Sequence, residues 1–316
     1  MEKQNFLTEL FRKDLSEIKD LLSSRYSFAN SNIKTLTESL ALTEGKMLRA
    51  MFILIGGSFG SISREVLIKL CAATELLHLA TLIHDDIIDD ASTRRNKATL
   101  NHSIGTKASL FMGDYFFSDS YVLFSESSST TTIAEVSRTI KTICEGEINQ
   151  FFSISSLDCS VRDYLKRING KCASFFSLSL SIAAVEGNSD YSTIKLLRKI
   201  GYYTGMAFQI IDDILDITSE EEALGKPSGN DIAHGIYNLP VIYEIMNGNK
   251  VLLEHLKNGS VKECIKELKY SEGLKKSRNI ALSYTNKAIK NIDKLPASKE
   301  THYLKKLVEA MLIRPY

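Results

Sequence analysis

Proline is missing from the first 226 residues; the four in the chain, Pro227, Pro240, Pro296 and Pro315, all lie beyond them. A proline inside a helix removes a hydrogen bond and clashes with the preceding turn, so its absence leaves room for a succession of long helices. Alternating runs of strand type are scarce, and the expected fold is all-α. Cysteine is sparse and unpaired in pattern: Cys71, Cys144, Cys159, Cys172 and Cys264 are odd in number and never form Cys-x-x-Cys. That excludes a disulfide framework and predicts a reducing, cytoplasmic setting. Basic charge is not in excess, with 39 Lys and Arg against 38 Asp and Glu, which argues against a nucleic-acid partner. The first residues have no signal-type apolar segment, and no later run reads as long and charge-free enough to span a bilayer.

What is present is a large apolar content, 44% of 316 residues, enough for a sizeable core, and no linker that would divide it. A single domain over 1–316 is therefore expected. Helical spacing of Leu, Ile and Phe over 6–24, 30–42 and 104–124 predicts core-facing stripes. Gly56-Gly57-Ser-Phe-Gly60 predicts a flexible turn, and the Ser/Thr-rich 125–132 a surface loop. Residues 241–316 read as amphipathic helix with lysine on the outer faces.

Residues 75–95 do not fit a plain core helix. They read Glu75-Leu-Leu-His78-Leu-Ala-Thr81-Leu-Ile-His84-Asp85-Asp86-Ile-Ile-Asp89-Asp90-Ala-Ser-Thr-Arg94-Arg95. On a helix Glu75, His78, Asp85 and Asp89 fall close to one face, a polar stripe on an apolar rod. Clustered carboxylates repel unless cations sit among them. Oxygen donors without cysteine favour magnesium, which completes its shell with water and phosphate oxygens, and arginine forks suit phosphate. A second cluster follows at 205–217, where Gln209, Asp212, Asp213 and Asp216 again share one helix face. Two such faces can oppose each other across a bundle and hold metal.

The two Asp-Asp-x-x-Asp motifs, the arginines after the first and Gly225-Lys226-Pro227 after the second resemble the trans-isoprenyl diphosphate synthases, the polyprenyl synthetase family. The likeness runs from about residue 40 to the C-terminus. It implies a helical bundle of the isoprenoid synthase type with a central cleft between two aspartate-rich helices. The implied chemistry is magnesium-dependent transfer of an allylic chain onto isopentenyl diphosphate, with three Mg2+ ions at the site.

Residue by residue, the resemblance makes Asp85, Asp89 and Asp212 metal ligands, with Gln209 beside them as a substrate-binding residue. Arg94, Lys171 (in Gly170-Lys171-Cys172) and Lys226 would grip the allylic diphosphate and serve its ionisation. Lys46, Arg49, His78 and Arg95 would seat isopentenyl diphosphate, with Arg314 near that site. His84 matches no family role, and Glu145, Glu147 and Gln150 read as supporting polar residues. The chain departs from the family at Glu44 and Ala50, at Cys172 for threonine, at Ile236 for a lysine and at Asn238 for threonine.

Aromatics just upstream of Asp85 stop product growth early in the family; here those positions are Ala80 and Thr81, with Leu76 and Leu77 one turn back. An isoprene unit spans about one helical turn, roughly 5 Å, so small residues there predict a medium or long product, hexaprenyl or heptaprenyl rather than farnesyl. Membrane contact would be at most peripheral, at product release. The chain is expected as a homodimer, or as the catalytic half of a heterodimer with a small regulatory subunit. A terpene cyclase would carry a different second metal motif, a di-iron bundle a second Glu-x-x-His, and a non-catalytic partner subunit fewer aspartates; this chain fits none of these as well.

Overall fold

The computed structural model describes residues 9–27, 29–39, 46–94, 97–219 and 228–312. Arg95, Lys226 and Arg314, with the roles expected of them, lie outside these. The described chain is helical almost throughout. In order it forms α1 (Arg12–Ser27), α2 (Ser31–Ser39), α3 (Leu48–Gly57), α4 (Arg64–Ile88), α5 (Leu100–Ile104), α6 (Thr106–Ser127), α7 (Thr130–Phe152) and α8 (Val161–Ile168). A π turn, Asn169–Ala173, leads into α9 (Ser174–Glu186). There follow α10 (Tyr191–Thr218), α11 (Asn230–Ala233), α12 (Leu239–Met246), α13 (Lys250–Lys257), α14 (Val261–Leu268), α15 (Glu272–Ile292) and α16 (Lys299–Leu312). Among the described residues the strands are one antiparallel pair, β1 (Thr93–Arg94) and β2 (Lys97–Ala98). The chain divides into two compact units, Met1–Glu135 with Ser179–Ile194, and Val136–Leu178 with Lys195–Tyr316.

In the first unit α4 is the axis on which α1, α3 and α6 pack. Ser63 starts it, its Oγ accepting the Val66 N–H, as a side-chain cap should. Leu70, Ala72, Ala73, Leu77 and Ala80 are fully buried along it, with Phe52 of α3 and Phe116 of α6. Two sequence expectations change here. Gly56 and Gly57 end α3 inside the core, and a Cβ on Gly56 would lie 2.1 Å from the Leu180 carbonyl oxygen, so close packing rather than flexibility requires the glycine. The Ser/Thr-rich 125–132 is not a loop: α6 runs to Ser127 and α7 starts at Thr130. Ser125 and Ser127 turn their hydroxyls back onto the carbonyls of Val122 and Leu123. Glu186 accepts both the N–H and the Oγ–H of Ser129 and the Thr132 hydroxyl, satisfying donors at the start of α7.

A third correction concerns hydropathy. By length and composition Arg64–Ile88 and Val161–Glu186 would each suffice to cross a bilayer, yet 56% and 72% of their apolar windows are buried in the protein. Burial of that kind is what a core helix needs for the same composition.

In the second unit Gly146 of α7 and Gly170 of the π turn meet so closely that a Cβ on Gly170 would lie 2.8 Å from the Thr142 carbonyl oxygen. Pro240 sits in the first turn of α12, where a missing N–H costs nothing. That helix packs on α15, and its buried Glu244 accepts the Gly273 N–H at 2.8 Å.

Candidate active site

In the first unit the candidate residues lie at the start of α3 and along α4 to its C-terminal end. Met47, at φ 44°, turns the chain into α3, with Lys46 exposed before it and Arg49 half-buried in the first turn. The open N–H of Ala50 is taken by Glu75 Oε1 at 2.8 Å. Glu75, on the polar stripe that the sequence pattern showed, thus serves as a cap donated by α4. The cap fixes the helix start bearing Lys46 and Arg49 against the helix that carries His78 one turn on. Thr81 donates its hydroxyl to the His78 carbonyl at 2.8 Å. Leu76, Leu77 and Ala80 are buried, while Thr81 is half-exposed.

Asp85 and Asp86 sit in the last turn of α4 and Asp89 is its C-cap residue. Asp85 and Asp89 are four residues apart and half-buried, hence on one face. Their neighbour Asp86 turns inward and accepts the Arg94 Nε–H at 2.8 Å. The β1–β2 pairing holds Arg94 for this contact, and Thr99 Oγ donates to the Ala91 carbonyl at the base of the hairpin. Burial pushes the Asp86 carboxyl above its usual range, with the Arg94 charge and hydrogen bond opposing the rise and Asp89 adding to it. The negative end of the helix dipole coincides with these carboxylates, so the place favours a cation twice over. His84 packs its ring on Gly113, where a Cβ would lie 2.4 Å from Nε2, and its Nε2 is 3.3 Å from Asp114.

In the second unit α10 divides its aspartates the same way: Asp212 is exposed, Asp213 and Asp216 are buried. Asp213 accepts the Tyr164 O–H at 2.6 Å and the Gln209 Nε2–H at 2.8 Å. Burial, then the charge of Asp231, pushes its carboxyl up to about 7 against the pull of those two hydrogen bonds and of Arg167. Gln209 therefore commits its amide nitrogen to the protein. Lys171 lies in the π turn with Nζ 3.2 Å from Glu147 Oε1, a partner the sequence left without a definite role. Arg167 donates to the Tyr237 carbonyl at 2.8 Å, joining α8 to the segment that begins α12.

Among the described residues no three His, Cys, Asp or Glu side chains converge into a ready-made cage. Magnesium does not need one, since it is held by one or two carboxylates plus water and substrate phosphates. Asp85 and Asp89 in one unit and Asp212 in the other are oxygen donors of that kind, so the residues fit the ion.

A family model described as Polyprenyl synthetase matches residues 30–274. Heptaprenyl diphosphate synthase component 2 of Bacillus subtilis is 31% identical over 297 residues, covering 87% of this chain and 85% of its own. Heptaprenyl diphosphate synthase from Staphylococcus aureus superposes with a TM-score of 0.90 at 29% identity, covering 96% of this chain and 98% of that one. A polyprenyl synthase from Caulobacter crescentus, complexed with calcium and isoprenyl diphosphate, gives 0.91 at 27% identity, covering 98% of each.

Proposed function

The chain belongs to the polyprenyl synthetase family and is a prenyltransferase; from that premise we propose which of its residues condense isopentenyl diphosphate with an allylic diphosphate, and to what length. The observation that carries the assignment is the division of both aspartate motifs. Asp85 and Asp89 are half-buried and Asp212 is exposed, while Asp86 and Asp213 are buried and bonded to Arg94, Tyr164 and Gln209. The three that reach solvent, Asp85, Asp89 and Asp212, are the magnesium ligands. Magnesium, when bound, neutralises charge on the leaving pyrophosphate, the main obstacle to breaking an allylic carbon–oxygen bond.

Arg94, Lys171 and Lys226 bind diphosphate oxygens of the allylic substrate by their motifs. Lys46 and Arg49 at the start of α3, where backbone N–H groups also favour anions, bind isopentenyl diphosphate with His78 and Arg95. The double bond of isopentenyl diphosphate attacks the allylic cation, and loss of a proton leaves a chain longer by one isoprene. Three ions per site remains the count carried over from the family.

Ala80 and half-exposed Thr81 place no aromatic in front of Asp85, which supports a medium or long product. The Bacillus subtilis relative is by its name one component of two, and Ile236 stands where a family lysine is common. These two observations support a second reading, in which the chain is the catalytic half of a heterodimer with a small partner instead of a homodimer.

One assay separates the readings: purified chain, magnesium, farnesyl diphosphate and labelled isopentenyl diphosphate, with products resolved by length. Six or seven isoprene units are expected. Products of four or fewer would refute the length assignment, and activity restored only by a small second chain would establish the heterodimer.

A further inference from the structure

We propose that Tyr164 is a positioning residue for the reaction: its hydroxyl holds Asp213 inward and thereby sets the face on which α10 presents Asp212. The inference rests on the reading of Asp212 as a magnesium ligand. Asp212 and Asp213 are neighbours on one helix, about 100° apart around its axis, so the direction of one determines that of the other. Asp213 is bonded from two sides, and the two bonds do different things. Gln209 lies one turn earlier on α10 itself and cannot orient that helix against anything else. Tyr164 comes from α8, 49 residues away in sequence, and ties the carboxylate to a separate element.

The tie is built to be rigid. Tyr164 is among the largest fully buried side chains of the protein and Asp213 is 6% exposed. Arg167, one turn after Tyr164, stacks its guanidinium 5.3 Å from the Tyr164 ring centroid and bonds the Tyr237 carbonyl. The hydroxyl therefore has little freedom to leave Asp213.

The test is Tyr164→Phe, which keeps the buried ring and deletes only the hydroxyl. Mn2+ binding is read by electron paramagnetic resonance with inorganic pyrophosphate present, where no turnover occurs; kcat, KM for isopentenyl diphosphate and melting temperature are read separately. Loss of a hydrogen bond to a charged group corresponds to about tenfold in an equilibrium, so Mn2+ affinity and kcat should each fall by about that factor while KM for isopentenyl diphosphate holds. A lowered melting temperature with Mn2+ affinity and kcat unchanged, measured well below the transition, would reduce Tyr164 to a structural residue and overturn the proposal.

Asp213→Ala supplies an independent arm that does not require Tyr164→Phe to fold. It should weaken Mn2+ binding to a similar degree, and adding Tyr164→Phe to it should cost nothing more. Full Mn2+ affinity in Asp213→Ala, or an undiminished effect of Tyr164→Phe in that background, would overturn the proposal. Asp212→Asn tests the reading beneath it: unchanged Mn2+ binding there would remove Asp212 as a ligand, an outcome distinct from any failure of the tyrosine tie.

Discussion

Arg94 Nε donates to Oδ1 of Asp86 at 2.8 Å, and this pairing commits the Asp86 carboxylate to the protein. The second motif repeats the arrangement with different chemistry, Asp213 being taken up by Tyr164 and Gln209. In each Asp-Asp pair the first residue faces outward and the second anchors.

Breaking the first anchor should loosen Arg94 without disturbing the fold. Asp86→Ala is expected to lower kcat/KM for the allylic substrate by about tenfold or more, the scale of a lost charged hydrogen bond. Steady-state rates with varied farnesyl diphosphate check this, and wild-type rates in the variant would show that Asp86 does not orient the arginine.

The outward carboxylates should behave otherwise. Asp85→Asn or Asp89→Asn should reduce kcat by at least about a hundredfold, as when one preorganised electrostatic group is deleted. Chelation of the wild type with EDTA should stop turnover yet leave the circular dichroism spectrum intact, because α4 is capped and packed without any ion. A helical signal that collapses on chelation would contradict the placement of Asp85 and Asp89 at an already formed helix end.

Product length should respond at Thr81 more cleanly than at Ala80. Thr81 is half-exposed, so a phenylalanine there has room to stand, whereas Ala80 has 0% exposure and overpacking it costs about 1–3 kcal/mol. Thr81→Phe is expected to shift products toward shorter chains at similar stability. An unaltered product distribution would separate this position from the growing chain.

Gly56→Ala tests the packing of α3. Its methyl would fall 2.1 Å from the Leu180 carbonyl oxygen, and backbone cannot yield as a flexible side chain does. A loss of about 1–3 kcal/mol is expected, which for a chain of this size lowers the melting temperature by about 2–4 °C per kcal/mol. Calorimetry reads it directly.

Asp190, ahead of α10, has its carboxyl lowered to about 2 by hydrogen bonds from the Ser192 and Thr193 side chains and the Thr193 N–H. A depressed pKa means the ionised form favours the folded state, so the contribution is present above the ordinary aspartate value near 4 and lost as pH falls toward 2. Asp190→Ala should therefore lower the melting temperature at pH 7 and make progressively less difference below pH 4.

The sequence made the helices legible because the absence of proline and the 3.6-residue spacing are local properties. It misread 125–132, where Ser125 and Ser127 bond helix carbonyls and Glu186 caps α7 from more than fifty residues away. The aspartate clusters were legible as clusters; their division into solvent-reaching and buried, bonded members was not. That division depends on Tyr164 and Arg94, and nothing in the spacing of the motifs points to a tyrosine 49 positions upstream. Glu147 escaped for the same reason, its partner Lys171 lying 24 residues on. Glu75 was read on the correct helix, as part of its polar stripe, but its bond to the Ala50 N–H was not foreseen, since a helix start is an anion-seeking group that composition does not display.

The π turn at 169–173 widens an otherwise α-helical segment. In an uninterrupted α-helix residues 164 and 171 would lie about 20° apart, on a single face. The wider turn breaks that phase, which lets Tyr164 answer Asp213 while Lys171 answers Glu147. Loss of a single codon within it would leave composition, hydropathy and both aspartate motifs intact, yet it would turn one of those two side chains away from its partner. Among the mutations such a gene can suffer, a triplet deletion here should be far less forgiving than most substitutions beside it.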